Sequence, residues 1–167
     1  MQLSRRNFLL AGACAAPFAG APMAPASAEA MLEAAQGTPA PDFHPVYTHD
    51  GLALGGYDPV AYFRQGGPAP GRPEHRLKYH GAVWLFTSEE NLIAFEMNPL
   101  AYKPRFGGYC AYTVANGMPM KSDPDAWTIH DGRLYLNYNL TLRILWRRDI
   151  PGHIARAERE WARIMAG

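Results

Sequence analysis

Apolar residues along this chain fall into short blocks separated by Gly, Pro, Asn and Asp, and the spacing inside each block names its element. Val46-Tyr47-Thr48 predicts a short strand closed by Asp50-Gly51. Asp58 is placed to cap a helical turn, with Pro59 at the first helical position, where no N–H is needed. Gly66 to Pro73 predicts a loop. Leu77-Lys78-Tyr79 and Val83-Trp84-Leu85-Phe86 predict a hairpin about His80-Gly81. Ser88 is expected to cap a helix whose first turn holds Glu89 and Glu90, charges that suit its positive end. Leu92 and Phe95 set the apolar face of that helix, Ile93 and Met97 extend it, and Asn98-Pro99 interrupts it. Leu100, Tyr102 and Phe106 are expected to keep the following segment buried.

The remaining blocks are read in the same way. Tyr109 to Val114 predicts a strand, Asn116-Gly117 a turn, and Met118 to Asp125 a loop. Trp127-Thr128-Ile129 and Leu134-Tyr135-Leu136 flank Asp131-Gly132, the strongest hairpin signal in the chain. Asn139 is expected to cap a helix running through Trp146. A second helix is expected from Pro151 to Met165, with Ile150, Ile154, Ala157, Trp161 and Ile164 as its apolar stripe and Arg156, Glu158, Arg159 and Glu160 mostly outward. The sum is α+β: a small antiparallel sheet with packed helices, two of them C-terminal.

The first 28 residues belong to none of these blocks. Ser4-Arg5-Arg6-Asn7-Phe8-Leu9 resembles a twin-arginine export signal. An alanine-rich apolar stretch follows, and Ala26-Ser27-Ala28 has the A-x-A form of a cleavage site. Residues 1–28 are therefore expected as a signal peptide, residues 29–45 as a flexible Ala/Pro-rich lead-in, and residues 46–166 as one domain. The implied location is the periplasm. Ala11-Gly12-Ala13-Cys14 is a poor lipoprotein box, so Cys14 is expected to leave with the signal. No apolar run is long enough for a mature membrane span.

Charge narrows the partners. The whole chain is formally +1; from Glu29 onward it has 14 basic and 15 acidic side chains, net −1. Such a balance leaves no electrostatic footprint for nucleic acid.

The candidate chemistry lies in Phe106-Gly107-Gly108-Tyr109-Cys110-Ala111-Tyr112, which holds the second of the two cysteines. A lone thiol beyond paired glycines is either a small buried hydrophobe or a reactive group. An oxidising compartment makes an unpaired thiol a liability unless it is used. Reactivity requires the thiolate, which a neighbouring cation favours, and Lys103, Arg105 and Lys121 are near in sequence. Gly107, Gly108, Tyr109, Tyr112, Tyr57, Asp58 and Arg105 are candidate pocket residues around the thiol. Asp58 serves equally as a cap, and the tyrosines equally as core. A soft-metal reading joins Cys110 to Met118, Met120 and His80 or His130, a donor set that suits copper.

Several blocks together resemble the YHS domain family, in its exported single-domain form. They are Gly56-Tyr57-Asp58-Pro59-Val60-Ala61-Tyr62-Phe63, Tyr79-His80-Gly81 through Trp84-Leu85-Phe86-Thr87-Ser88, and Phe95-Glu96-Met97-Asn98-Pro99. They continue with Tyr102 through Tyr112 and with Asp131-Gly132-Arg133-Leu134-Tyr135-Leu136-Asn137. The resemblance spans roughly residues 50–163. It implies an α+β module of a kind that often binds metal. The family's customary cysteines fall here at Ala61, Thr87 and Asn91, none of which carries sulfur. Some similar exported proteins place selenocysteine at the position of Cys110, which implies redox chemistry or soft ligation there. Three functions are thus expected: thiol redox or peroxide chemistry at Cys110 with a thiol-bearing partner; copper or soft-metal binding with a metal donor; or a non-catalytic interaction module with an inert cysteine.

Overall fold

The structure is a computed structural model that describes residues 44–166. The expected signal peptide, and the expected lead-in apart from His44 and Pro45, lie outside the described residues.

The α+β class holds, with the strands divided between two sheets. The first contains β1 (Thr48–His49), β2 (Leu52–Ala53), β3 (Arg72–Tyr79) and β4 (Ala82–Phe86) in the order β1-β2-β4-β3. Its β1–β2 and β3–β4 pairs are antiparallel, while β2 meets β4 in parallel at Leu52 and Val83. The second is the hairpin of β5 (Asp123–His130) and β6 (Arg133–Asn137). Among the described residues six helices accompany the sheets: α1 (Ala61–Arg64), α2 (Glu89–Met97), α3 (Pro99–Tyr102), α4 (Ala111–Val114), α5 (Leu140–Arg147) and α6 (Ile150–Ala166). Turns of 3-10 helix cover Leu54–Gly56 and Arg105–Gly108.

Strand β6 explains why there are two cores. Successive strand residues point to opposite faces. Leu134 and Leu136 enter a core with Val60, Tyr62, Trp84, Phe86 and Phe95. Tyr135 enters the other, with Phe106, Ala111, Val114, Trp146 and Ala157. The same alternation puts Asn137 on the Tyr135 side.

The three expected caps form, Asp58 Oδ1 accepting from Val60 N and Ala61 N at the start of α1. Ser88 Oγ accepts from Asn91 N at 3.3 Å, and Asn139 Oδ1 accepts from Leu142 N at 2.9 Å. Helix α6 runs one residue longer at each end than its periodicity predicts. The expected loops at 66–73 and 118–125 are shorter than predicted, because β3 begins at Arg72 and β5 at Asp123.

Three expectations need correction. Tyr109 to Val114 is not a strand. Tyr109 and Cys110 are extended, Cys110 making a single bridge to Leu136, and α4 follows. The Cys110 carbonyl accepts from Val114 N at 2.9 Å and from Thr113 Oγ1 at 3.0 Å, so local bonds close a helical turn. Ile93 and Met97 do not extend a buried face; they are 49% and 81% exposed, and Asn91 is buried in their stead. Leu100, at 59%, is likewise exposed.

Burial also shapes the response to alkali. Tyr62 is held well above the ordinary phenol value of 10.0, first by burial and then by the charges of Asp125 and Asp123. Burial raises Tyr47, Tyr109 and Tyr135 as well. The folded state therefore keeps protons that the unfolded chain releases near 10. Stability from these groups is full below about pH 9 and is lost as pH rises through 10 and above. Urea melts against pH, with phenolate absorbance as a second readout, are expected to show four late-titrating tyrosines and a stability that declines only in that window. A stability unchanged between pH 9 and 11 would contradict this.

Candidate functional site

Cys110 N donates to the Met120 carbonyl at 2.9 Å, and Ser122 Oγ donates to the Gly108 carbonyl at 2.6 Å. These two bonds tie the glycine-cysteine stretch to the segment entering β5. The thiol itself has no exposed surface. Asn137 Nδ2 approaches Sγ at 4.0 Å, at the outer limit for a sulfur contact. Asn137 is fully buried, and its Oδ1 finds no hydrogen-bond partner among the described residues.

Two of the three neighbouring cations, Arg105 and Lys121, are engaged elsewhere. Arg105 pairs with Glu158 at 2.8 Å and lies over the Phe106 ring. Lys121 lies over the Tyr138 ring. Tyr109 donates its hydroxyl to the His44 carbonyl at 2.9 Å and packs on Tyr47 and Trp161. Tyr112 packs on His153, which in turn packs on Trp146.

Gly107 and Gly108 do more than open space. Both have positive φ, 61° and 86°. A Cβ on Gly107 would overlap the Pro45 carbonyl oxygen, and Gly107 O accepts from Tyr47 N at 2.9 Å. The chain entering β1 is thereby laid directly against the turn before Cys110, an approach open only to glycine.

Asp58 occupies a separate place. Its buried carboxylate accepts five hydrogen bonds. Oδ1 takes Val60 N at 2.8 Å and Ala61 N at 3.3 Å. Oδ2 takes Thr87 N and Thr87 Oγ1, each at 2.8 Å, and Asn91 Nδ2 at 2.7 Å. Asn91 Oδ1 in turn accepts from Arg64 at 3.0 Å. Positions 61, 87 and 91, where the YHS resemblance places cysteines, therefore converge on one carboxylate.

Of the candidate copper donors, the methionines adjoin the Cys110 stretch through the backbone while the two histidines lie at the β3–β4 and β5–β6 turns. Met120 adjoins Cys110 through its backbone carbonyl, and Met118 N bonds to the Thr113 carbonyl. His80 sits in the β3–β4 turn against Tyr79 and lines a cleft that Cys110 does not reach. His130 lies beside Asp131 in the β5–β6 turn. Among the described residues, no group of three or more His, Cys, Asp or Glu is placed to hold a metal.

Two clefts open on the surface. The first, of about 400 Å³, takes in His80, Arg105 and Gly107 from the candidate residues, with Lys103, Arg133 and Trp161. The second, of about 580 Å³, takes in Tyr57 with Tyr47, Tyr138 and Leu136, the last being the residue that bridges Cys110. Cys110, Gly108, Tyr109, Tyr112 and Asp58 line neither. Sequence reasoning missed Asn137, His153 and Arg133. For Asn137 the signal was its alternation with Tyr135. For His153 it was its position three residues after Ile150 and four before Ala157, within the stripe.

No protein family, no curated protein and no solved structure matches the chain. No described helix is long and apolar enough to cross a membrane.

Proposed function

We propose that this chain is an exported YHS-like binding module whose cysteine is structural and whose function is exercised at its open surface. The observation that carries this reading is the complete burial of Cys110, with the Asn137 amide against its sulfur and no cationic side chain bonded to it. A thiol must meet its substrate as thiolate, and this one lies inside a core, as unreactive cysteines do. The copper reading is less favoured, because His80 lines a cleft that Cys110 does not and His130 lies at the β5–β6 turn.

One observation favours the redox reading as a second. The Asn137 side chain sets Nδ2 at 4.0 Å from the sulfur, and its Oδ1 is buried without a hydrogen-bond partner among the described residues. If a peroxide oxidised the thiol to a sulfenic acid, with one peroxide oxygen leaving as water, the Nδ2 amide would be the polar group nearest the new S–OH. The same measurement separates the two readings. Iodoacetamide labelling, mapped to the peptide containing Cys110, is expected to be at least about 100-fold slower in the folded protein than in denaturant. Prompt labelling of folded protein would overturn the structural reading in favour of the redox one.

A further inference from the structure

We infer that the first cleft is a binding site for a small aromatic carboxylate. Its cations come from two segments: Lys103 and Arg105 lie two residues apart between α3 and the 3-10 turn, and Arg133 begins β6. Exposed His80 joins them from the β3–β4 turn, and among the described residues no carboxylate lines the cleft. Background charge does not explain this grouping, because the chain from Glu29 onward is slightly acidic. Arg133 is brought by the fold to a segment that already carries two cations; like charges so gathered repel one another, and an anion between them relieves the repulsion.

The cations are held but not used up. Arg133 spends one N–H on the Leu100 carbonyl at 2.6 Å, which orients its fork and leaves further donors. The Arg105–Glu158 pair is half-exposed, and such pairs hold weakly against a competing anion. Lys103 has no side-chain partner among the described residues. Beside these groups stand Trp161 and the buried Phe106. Charge at the rim with flat apolar walls is the chemistry of a carboxylate on an aromatic body. The 400 Å³ volume suits a small molecule.

This inference rests on the binding-module reading, yet each can fail alone, because labelling of Cys110 does not depend on the cleft. The test is titration of the full chain with 3-phenylpropanoate, followed by amide chemical shifts. Saturable shifts are expected around Lys103, Gly107 and Arg133. The neutral 3-phenylpropanol and inorganic phosphate are each expected to bind about tenfold more weakly or worse, as are Lys103→Gln and Arg133→Gln proteins toward the carboxylate. Urea melts of both variants should match the parent. No saturation up to about 10 mM would overturn the inference. So would equal binding of the alcohol, equal binding of phosphate, or undiminished binding by both variants.

Discussion

Replacing Gly107 with alanine is expected to lower the unfolding free energy by about 3 kcal/mol or more, a large share of the stability of a domain of this size. Two effects add. A side chain at φ 61° sits in the left-handed region, which costs about 1 kcal/mol for a non-glycine residue. The larger effect is overlap of the new methyl with the Pro45 carbonyl oxygen, with Trp161 only 3.3 Å away on another side. The methyl meets backbone, which cannot rotate aside. Relief requires moving the entering chain away and stretching the Tyr47 N to Gly107 O bond. Gly132→Ala supplies the control. It has φ 67° and nothing within 4 Å of its notional Cβ, so it should cost only the conformational part, about 1 kcal/mol. Urea unfolding of both variants measures the difference. If Gly107→Ala costs no more than Gly132→Ala, the close approach of Pro45 is not a constraint on the fold.

Asp58→Ala is expected to cost about 4 kcal/mol or more. Truncation removes the acceptor for three backbone N–H groups and two side chains at once. Those donors remain in a buried site that water fills poorly, so each loses a bond without regaining one to solvent. Thr87→Ala removes a single donor and leaves the carboxylate four others; about 1 kcal/mol is expected there. A small loss in Asp58→Ala, comparable with that of Thr87→Ala, would mean that the network is not holding α1, β4 and α2 together.

The two substitutions divide the molecule usefully. Asp58 lies beneath the first core, far along the chain from Cys110, whereas Gly107 lies within the stretch that the sequence marks for chemistry. Asp58 lines neither cleft, and the effect expected at Gly107 is one of backbone overlap. Their importance is architectural, and a large effect from either says nothing for catalysis by Cys110.

Local features were legible in the residues. Ser88 and Asn139 cap their helices because a side-chain oxygen followed by a helical block satisfies the free N–H groups of the first turn. Asp131-Gly132 turns the β5–β6 hairpin because both residues accept the positive φ that the turn needs. Helix α6 follows from its apolar stripe. Each of these depends on neighbours within a few positions, which the chain order already supplies. The strand expected at 109–114 failed for the converse reason. Four small or apolar residues in a row carry no decisive period, and the Thr113 hydroxyl on the Cys110 carbonyl tips the segment into α4.

By itself the sequence determined the α+β class, the caps, the hairpins and the placing of a single cysteine after two glycines, all of them matters of local spacing and stereochemistry. Only the tertiary structure decided what surrounds that cysteine. Burial, and the meeting of Asp58 with Thr87 and Asn91 across 29 and 33 positions, depend on which faces pack together. So does the gathering of Lys103, Arg105 and Arg133 around one cleft while the thiol is enclosed behind Asn137. Those outcomes arise because apolar faces exclude water collectively, and a polar group goes inside only where distant segments bring it a partner.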